Sequence, residues 1–249
     1  MNLLVLVKGY FNEFLRRKNS FINSKAIAKR NQMLALYKNK YEGQRCFIIG
    51  NGPSLKIEDL EALKDEVTFA SHGIYYIYDN TDWRPTFYCA QDAKLINERY
   101  CEIKEKCKES INVFGIVKNR NYVKFSEDSI IINLIDEDFV DGYPKFSDDL
   151  TFGAYEGLTV TYFNIQLAIY MGFKEIYLLG VDHFYSGGRN DHFSEQDVCT
   201  NVPQTEKSTF SYIKAKDFAN EKGVKIYNAT RGGHLEVFER VDFDDVLRR

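Results

Sequence analysis

Arg45-Cys46-Phe47-Ile48-Ile49 runs into Gly50-Asn51-Gly52-Pro53-Ser54 with no polar residue between Arg45 and the first glycine. A strand apolar at successive positions is covered on both faces, as in a parallel sheet between layers of helices. The run Glu175-Ile176-Tyr177-Leu178-Leu179-Gly180-Val181-Asp182 repeats the design and ends on an acid. Further strands are predicted at 67–70, 86–90, 111–117, 129–134 and 224–228. Between them the apolar spacing predicts helices over 93–109, over 157–171 up to Gly172, and over 208–222 up to Gly223, with Ser54 capping a helix that reaches about Leu63. Alternating strands and helices of these lengths imply an α/β, Rossmann-like, mainly parallel sheet with helices on both faces.

A helical N-terminal arm precedes this body. Residues 1–45 hold ten Lys/Arg against Glu13 and Glu42, a balance of +8, and the remainder carries −11. The domain reading is therefore a basic arm over 1–44, with a second arm helix near 24–41, and a Rossmann-like domain over 45–249. Leu3–Val7 is only five apolar residues before Lys8, too short for a signal peptide or a membrane span. Phe11, Phe14 and Leu15 ahead of Arg16-Arg17-Lys18 suit an amphipathic helix resting on an anionic membrane face, and equally one packed on the body or on a second copy of the chain. The five cysteines, Cys46, Cys89, Cys101, Cys107 and Cys199, lack CxxC spacing and read as reduced thiols of a cytoplasmic protein. With net charge −3 overall, nothing points to nucleic acid.

In open α/β sheets ligands bind beyond the carboxyl ends of the strands. The predicted strand ends are Gly50-Asn51-Gly52, Ser71-His72, Gln91-Asp92, Asp182-His183 and Asn228-Ala229-Thr230, all polar or glycine and all at one sheet edge. Glycines let a backbone approach an anion, and a following helix would offer free N–H groups, with Ser54 adding a hydroxyl. The turn is neither GxGxxG nor a Walker loop, and a bare β–α connection accounts for it as well. His183, and His192 beside Asp191, are candidate general bases, with Asp182 to orient one of them, to hold a sugar hydroxyl, or to ligate Mg²⁺ together with Asp92. Arg231-Gly232-Gly233-His234 is a candidate second anion site or a solvated turn. The stretch 186–204 reads as a polar lid, and Tyr75, Tyr76 and Tyr78 read as helix packing.

At Phe47–Leu55, and again at Ala168–Asp182, the chain resembles the sialyltransferases of glycosyltransferase family 42. It is also similar to the broader MptE-like family, which holds 6-hydroxymethylpterin diphosphokinases and proteins of bacterial surface-glycan and flagellin glycosylation; Gly157–Val160 and Tyr227–Thr230 fit that family better. The resemblance implies a CMP-activated donor, no metal-binding DxD motif, Asn51 holding the nucleotide, and Thr159 and Thr161 presenting hydroxyls to the donor. The second donor-contacting asparagine of the sialyltransferases falls near His72. Their catalytic histidine has no counterpart, since 205–208 occupies its place.

The leading expectation is thus a bacterial glycosyltransferase of surface-polysaccharide or glycoconjugate assembly. It would use a nucleotide-sugar donor and a glycan or lipid-linked acceptor, at the inner face of the cell membrane and without a required cofactor. Donor contacts would come from Gly50, Asn51, Gly52, Ser54, His72, Asp92, Thr159 and Thr161. Two alternatives stand: a Mg²⁺-dependent diphosphokinase, and a non-catalytic scaffold of the same fold whose role survives mutation of His183 and His192.

Overall fold

A computed structural model describes residues 32–117, 123–136, 144–185, 192–193 and 204–249. Residues 1–31 of the arm, on which the amphipathic-helix reading falls, Asp191, Cys199 and all of the predicted lid but 192–193 and 204 lie outside the described residues. Nine strands, β1 (Arg45–Ile49), β2 (Thr68–Ser71), β3 (Phe87–Ala90), β4 (Ile111–Ile116), β5 (Ile130–Ile135), β6 (Ala154–Tyr155), β7 (Glu175–Leu179), β8 (Lys225–Asn228) and β9 (Glu239–Arg240), form one sheet in the order β6-β5-β4-β3-β2-β1-β7-β8-β9. Every pairing is parallel. The helices are α1 (Ile57–Glu61), α2 (Ala93–Lys106), α3 (Val160–Tyr170), α4 (Thr205–Glu221) and α5 (Phe243–Leu247), with a 3-10 helix over His72–Ile77.

The strands face two cores because their side chains alternate. From β1, Cys46 and Ile48 enter one core with Phe163, Leu167 and Ala215 of α3 and α4, while Phe47 and Ile49 enter the other with Leu60, Ile96, Ile103 and Val246 of α1, α2 and α5. Helices therefore cover both faces, as the sequence implied. Helix α3 is buried nearly all round, including Asn164 and Gln166. Gln166 serves the short edge strand: its Oε1 accepts from the Tyr155 amide at 3.0 Å and its Nε2 donates to the Tyr155 carbonyl at 2.8 Å.

The last residues of the arm are bound to this body. Leu34 is 1% exposed, Tyr41 stacks on Phe173 at 4.8 Å, and Tyr37 meets Phe87 edge-on at 5.7 Å. The amides of Asn39 and Tyr41 donate to the carbonyls of Tyr170 and Met171, at the end of α3. Among the described residues no helix is long and apolar enough to cross a membrane.

One predicted element differs in a way that matters for the site. The helix after the glycine turn begins at Ile57, not at Ser54; Lys56 is its cap residue and makes no side-chain cap bond. A five-residue helix two residues further on does not aim its N–H groups at the turn, so the turn is a main-chain loop, not a helix-terminus cradle.

Candidate active-site cleft

The chain continues from β1 toward β2 on one side, and from β7 toward β8 on the other, so the topological switch lies between β1 and β7. These two strands end level, Ile49 beside Leu179. The turns beyond them stay in contact: the Gly50 amide donates to the Leu179 carbonyl at 2.8 Å and the Gly52 amide to the Gly180 carbonyl at 2.9 Å. A Cβ on Gly50 would fall on the Gly180 carbonyl, and one on Gly52 would fall on the Asp182 carboxylate. Both glycines are thus required by close approach.

A cleft of about 240 Å³ opens above this point. Its walls bring together Gly50, Asn51, Gly52, His72, Asp92, Thr159, Thr161, Asp182, His183 and His192, residues drawn from six separate stretches of the chain. The sequence-predicted strand ends at β8 do not reach it. Asn228 gives its side-chain amide to the Leu235 carbonyl, and the Thr230 hydroxyl accepts from the Val181 amide, so both brace the β7 loop from behind.

Ser54 also stands behind the turn. Its hydroxyl donates to Asp182 Oδ2 at 2.7 Å, which replaces its expected role as a cap and ligand donor with one of holding Asp182. Arg231 is committed elsewhere too. Its guanidinium forks onto Asp59, which is 5% exposed, and onto Asp244, and these two carboxylates hold it well above the usual arginine range. It offers no second anion site. Asp92 caps α2 by accepting from the Leu95 amide at 3.0 Å, and Asn51 reaches across to the Ser71 carbonyl at 3.0 Å.

Two long helices start at the cleft, α2 behind Asp92 and α3 behind Thr159, whose hydroxyl accepts from the Thr161 amide. Their positive ends favour a bound anion. Tyr212 of α4 closes the floor, its phenol 3.5 Å from the Thr159 hydroxyl; burial pushes that phenol up, opposed by hydrogen bonds from Thr159 and Thr161. Tyr76, Lys94 and Arg99 also line the wall, with the Arg99 guanidinium 5.6 Å from the Tyr76 ring. Sequence reasoning took Tyr76 for helix packing and passed over Lys94, Arg99 and Tyr212, since each sits in a helix whose pattern reads as packing or solvated surface.

Backbone strain gathers here as well. Among the described residues four non-glycines take positive φ: Asn39, His72, Leu158 and His183. His72 and His183 line the cleft and Leu158 precedes Thr159. Conformations that cost about 1–3 kcal/mol persist where surrounding structure fixes them, and they cluster at functional sites. His183 is half-buried, its ring edge-on to Tyr212 at 5.3 Å. Burial first, and His234 second, hold its pKa below the ordinary histidine value, so the imidazole is neutral at pH 7.

The chain matches the family described as "6-hydroxymethylpterin diphosphokinase MptE-like" over residues 18–188, more than half its length. No curated protein sequence matches it. Among solved structures it is similar in fold to the MAf glycosyltransferase of Magnetospirillum magneticum AMB-1, with a TM-score of 0.53 and 18% identity. That match covers 88% of this chain and only 38% of the larger protein. It also aligns with the sialyltransferase CstII of Campylobacter jejuni in complex with cytidine-5'-monophosphate, at 18% identity and a TM-score of 0.46, over 80% of this chain and 85% of that one.

Proposed function

Because the chain belongs to the MptE-like family and gathers its polar strand ends into one cleft at the sheet's switch point, we propose that it is a glycosyltransferase using a nucleotide-activated, CMP-type sugar in surface-glycan assembly. The observation that carries the reading is the level ending of β1 and β7, which stacks the Gly50–Gly52 loop against Gly180–Asp182 and leaves main-chain groups and two helix starts facing one space. The donor phosphate would sit there, beside Asn51 and Thr159. The acceptor hydroxyl oxygen would attack the anomeric carbon from the opposite face as the bond to the phosphate oxygen breaks. The nucleotide leaves with the electron pair, and the hydroxyl proton passes to His183. His183 is taken as the base because its half-buried ring lines the cleft and burial keeps it neutral.

Thermal-shift measurements against CMP, UDP, GDP and ATP test this directly. A rise in melting temperature largest with CMP is expected; no rise with any of the four refutes the reading.

The family's description favours a second reading, pyrophosphate transfer from ATP. It needs Mg²⁺, which one or two carboxylates and the substrate phosphates can hold. Asp92 and Asp182 line the cleft, yet each already gives an oxygen to the protein, to the Leu95 amide and to Ser54. Among the described residues no three His, Cys, Asp or Glu side chains group to hold a metal. Activity that persists in EDTA eliminates the kinase reading, and activity abolished by EDTA and restored by Mg²⁺ favours it.

A further inference from the structure

Asp182 precedes His183 and is the carboxylate that a base–orienter pair would use, but its Oδ2 takes the Ser54 hydroxyl instead. The His183 ring meets a different partner. Its Nε2 lies 2.8 Å from the Oγ1 of Thr209, in the first turns of α4. The same Oγ1 lies 2.9 Å from the Thr205 carbonyl, one helical turn back.

A hydroxyl has one proton, and a carbonyl can only accept. Threonine in a helix commonly gives that proton to the carbonyl four residues earlier. With its proton so placed, the Thr209 oxygen faces His183 with a lone pair, and the group at Nε2 must be N–H. A neutral imidazole carries one ring proton, so Nδ1 then holds the free lone pair. Nδ1 has no hydrogen-bond partner among the described residues, and the ring lines the cleft.

We propose that Thr209 is a positioning residue that fixes His183 in the Nε2–H tautomer through the relay His183 Nε2–H to Thr209 Oγ1–H to the Thr205 carbonyl, leaving Nδ1 as the proton acceptor toward the cleft. The inference rests on the reading of His183 as the base. It supplies the orienting contact that the sequence assigned to Asp182. The left-handed backbone at His183 and the edge-on contact with Tyr212 limit the ring to this approach. Among the described residues His234, Tyr212 and Asp182 are the titratable groups placed near the ring, and none of them is bonded to Nδ1.

The test needs no substrate. Long-range ¹H–¹⁵N spectra of the full chain at pH 8, assigned through His183→Gln, should show a pyrrole-type Nε2 and a pyridine-type Nδ1 for His183. In Thr209→Val the Nε2–H loses its acceptor, and the two nitrogens should move toward averaged shifts. Thr209→Ser should restore the wild-type pattern. An Nδ1–H tautomer in the wild-type chain overturns the proposal, as does a Thr209→Val spectrum identical to wild type. If Thr209→Val does not fold, the wild-type tautomer and the Ser variant still decide. Because the readout is the ring alone, it can fail while nucleotide binding stands, and nucleotide binding can fail while the tautomer stands.

Discussion

Gly52 and Ser54 meet the same carboxylate from two sides, so their substitutions must be coupled. Ser54→Ala removes a 2.7 Å bond from a hydroxyl to the half-buried Asp182 carboxylate. Bonds to charged groups contribute about 1.5–3 kcal/mol, which partial exposure reduces to about 1–2 kcal/mol here. In Gly52→Ala the new methyl overlaps the Asp182 carboxylate and comes within 2.8 Å of the Gly180 carbonyl. To clear it, Asp182 must leave Ser54, losing that same bond, and the turn must shift at a further cost of about 1–2 kcal/mol. The single variants should therefore lose about 1–2 and about 2–4 kcal/mol. The double variant should lose about 2–4 kcal/mol, because the bond can be lost only once, which gives a coupling of about 1–2 kcal/mol. Urea unfolding with matched slopes measures this, and thermal melts should follow at about 2–4 °C per kcal/mol for a chain of this size. Losses that add to within about 0.5 kcal/mol would falsify the shared-carboxylate geometry.

Arg231→Ala should destabilise the fold by about 1–3 kcal/mol, since it leaves the buried Asp59 carboxylate without its fork, while the nucleotide-induced thermal shift stays as in wild type; a lost shift would return Arg231 to the binding site. Burial depresses the His183 pKa, so the base stays competent through neutral pH and the acid limb of the transfer rate should lie below about pH 6.5. The same sign makes the folded state weaker as pH falls below that value, because the unfolded chain takes up the proton more readily; a limb above pH 7 excludes His183. For the arm, cutting after residue 40 removes Leu34 and Tyr37 from the core and should lower the melting temperature by several degrees. Removing 1–31 instead is the clean test of membrane contact: flotation with anionic liposomes should be lost, and flotation that persists rejects the amphipathic-helix reading.

What could be read from the sequence was whatever depends on neighbours in the chain. Strand β3 is wholly apolar, β1 and β7 are apolar after a charged first residue, and β4 and β5 are broken only by Asn112, Gly115 and Asn133, while α2, α3 and α4 carry apolar spacing ended by Cys107, Gly172 and Gly223, so their places were plain within a few residues. The two-residue strands β6 and β9 have no period to detect; β9 is Glu239-Arg240, exposed and charged, and pairs only because β8 lies beside it. The site was legible as a set of strand ends but not as a set of contacts. Ser54 finds Asp182 across 128 positions, and Arg231 finds Asp59 across 172, and no local pattern announces either bond. Tyr212 faces the cleft from a helix whose sequence shows only packing, and Thr209 looks like any surface threonine until His183 arrives 26 positions away in the chain.

The cleft divides by chemistry into two parts. The part over β1 and β7 is mostly main chain: amides and carbonyls of 50–52 and 180–182, plus the starts of α2 and α3. The amides of Gly50, Gly52 and Val181 already donate within the protein, so a phosphate here would rely on the starts of α2 and α3, which would serve a diphosphokinase and a glycosyltransferase alike. The side chains that could tell these reactions apart stand on other elements: Tyr76 on the 3-10 helix, Lys94 and Arg99 on α2, Tyr212 and Thr209 on α4, and His183 at a strained turn. A family that keeps the cradle and varies those positions can change its chemistry with little change in fold. On the proposed reading the phosphate would lie over the turn after β1, and the arrangement around His183 would decide what is done with it. If His183 is the base, exchanging it for Gln should abolish transfer while leaving the nucleotide-induced thermal shift in place. Loss of both together would mean that the two parts of the cleft are not separable in this way.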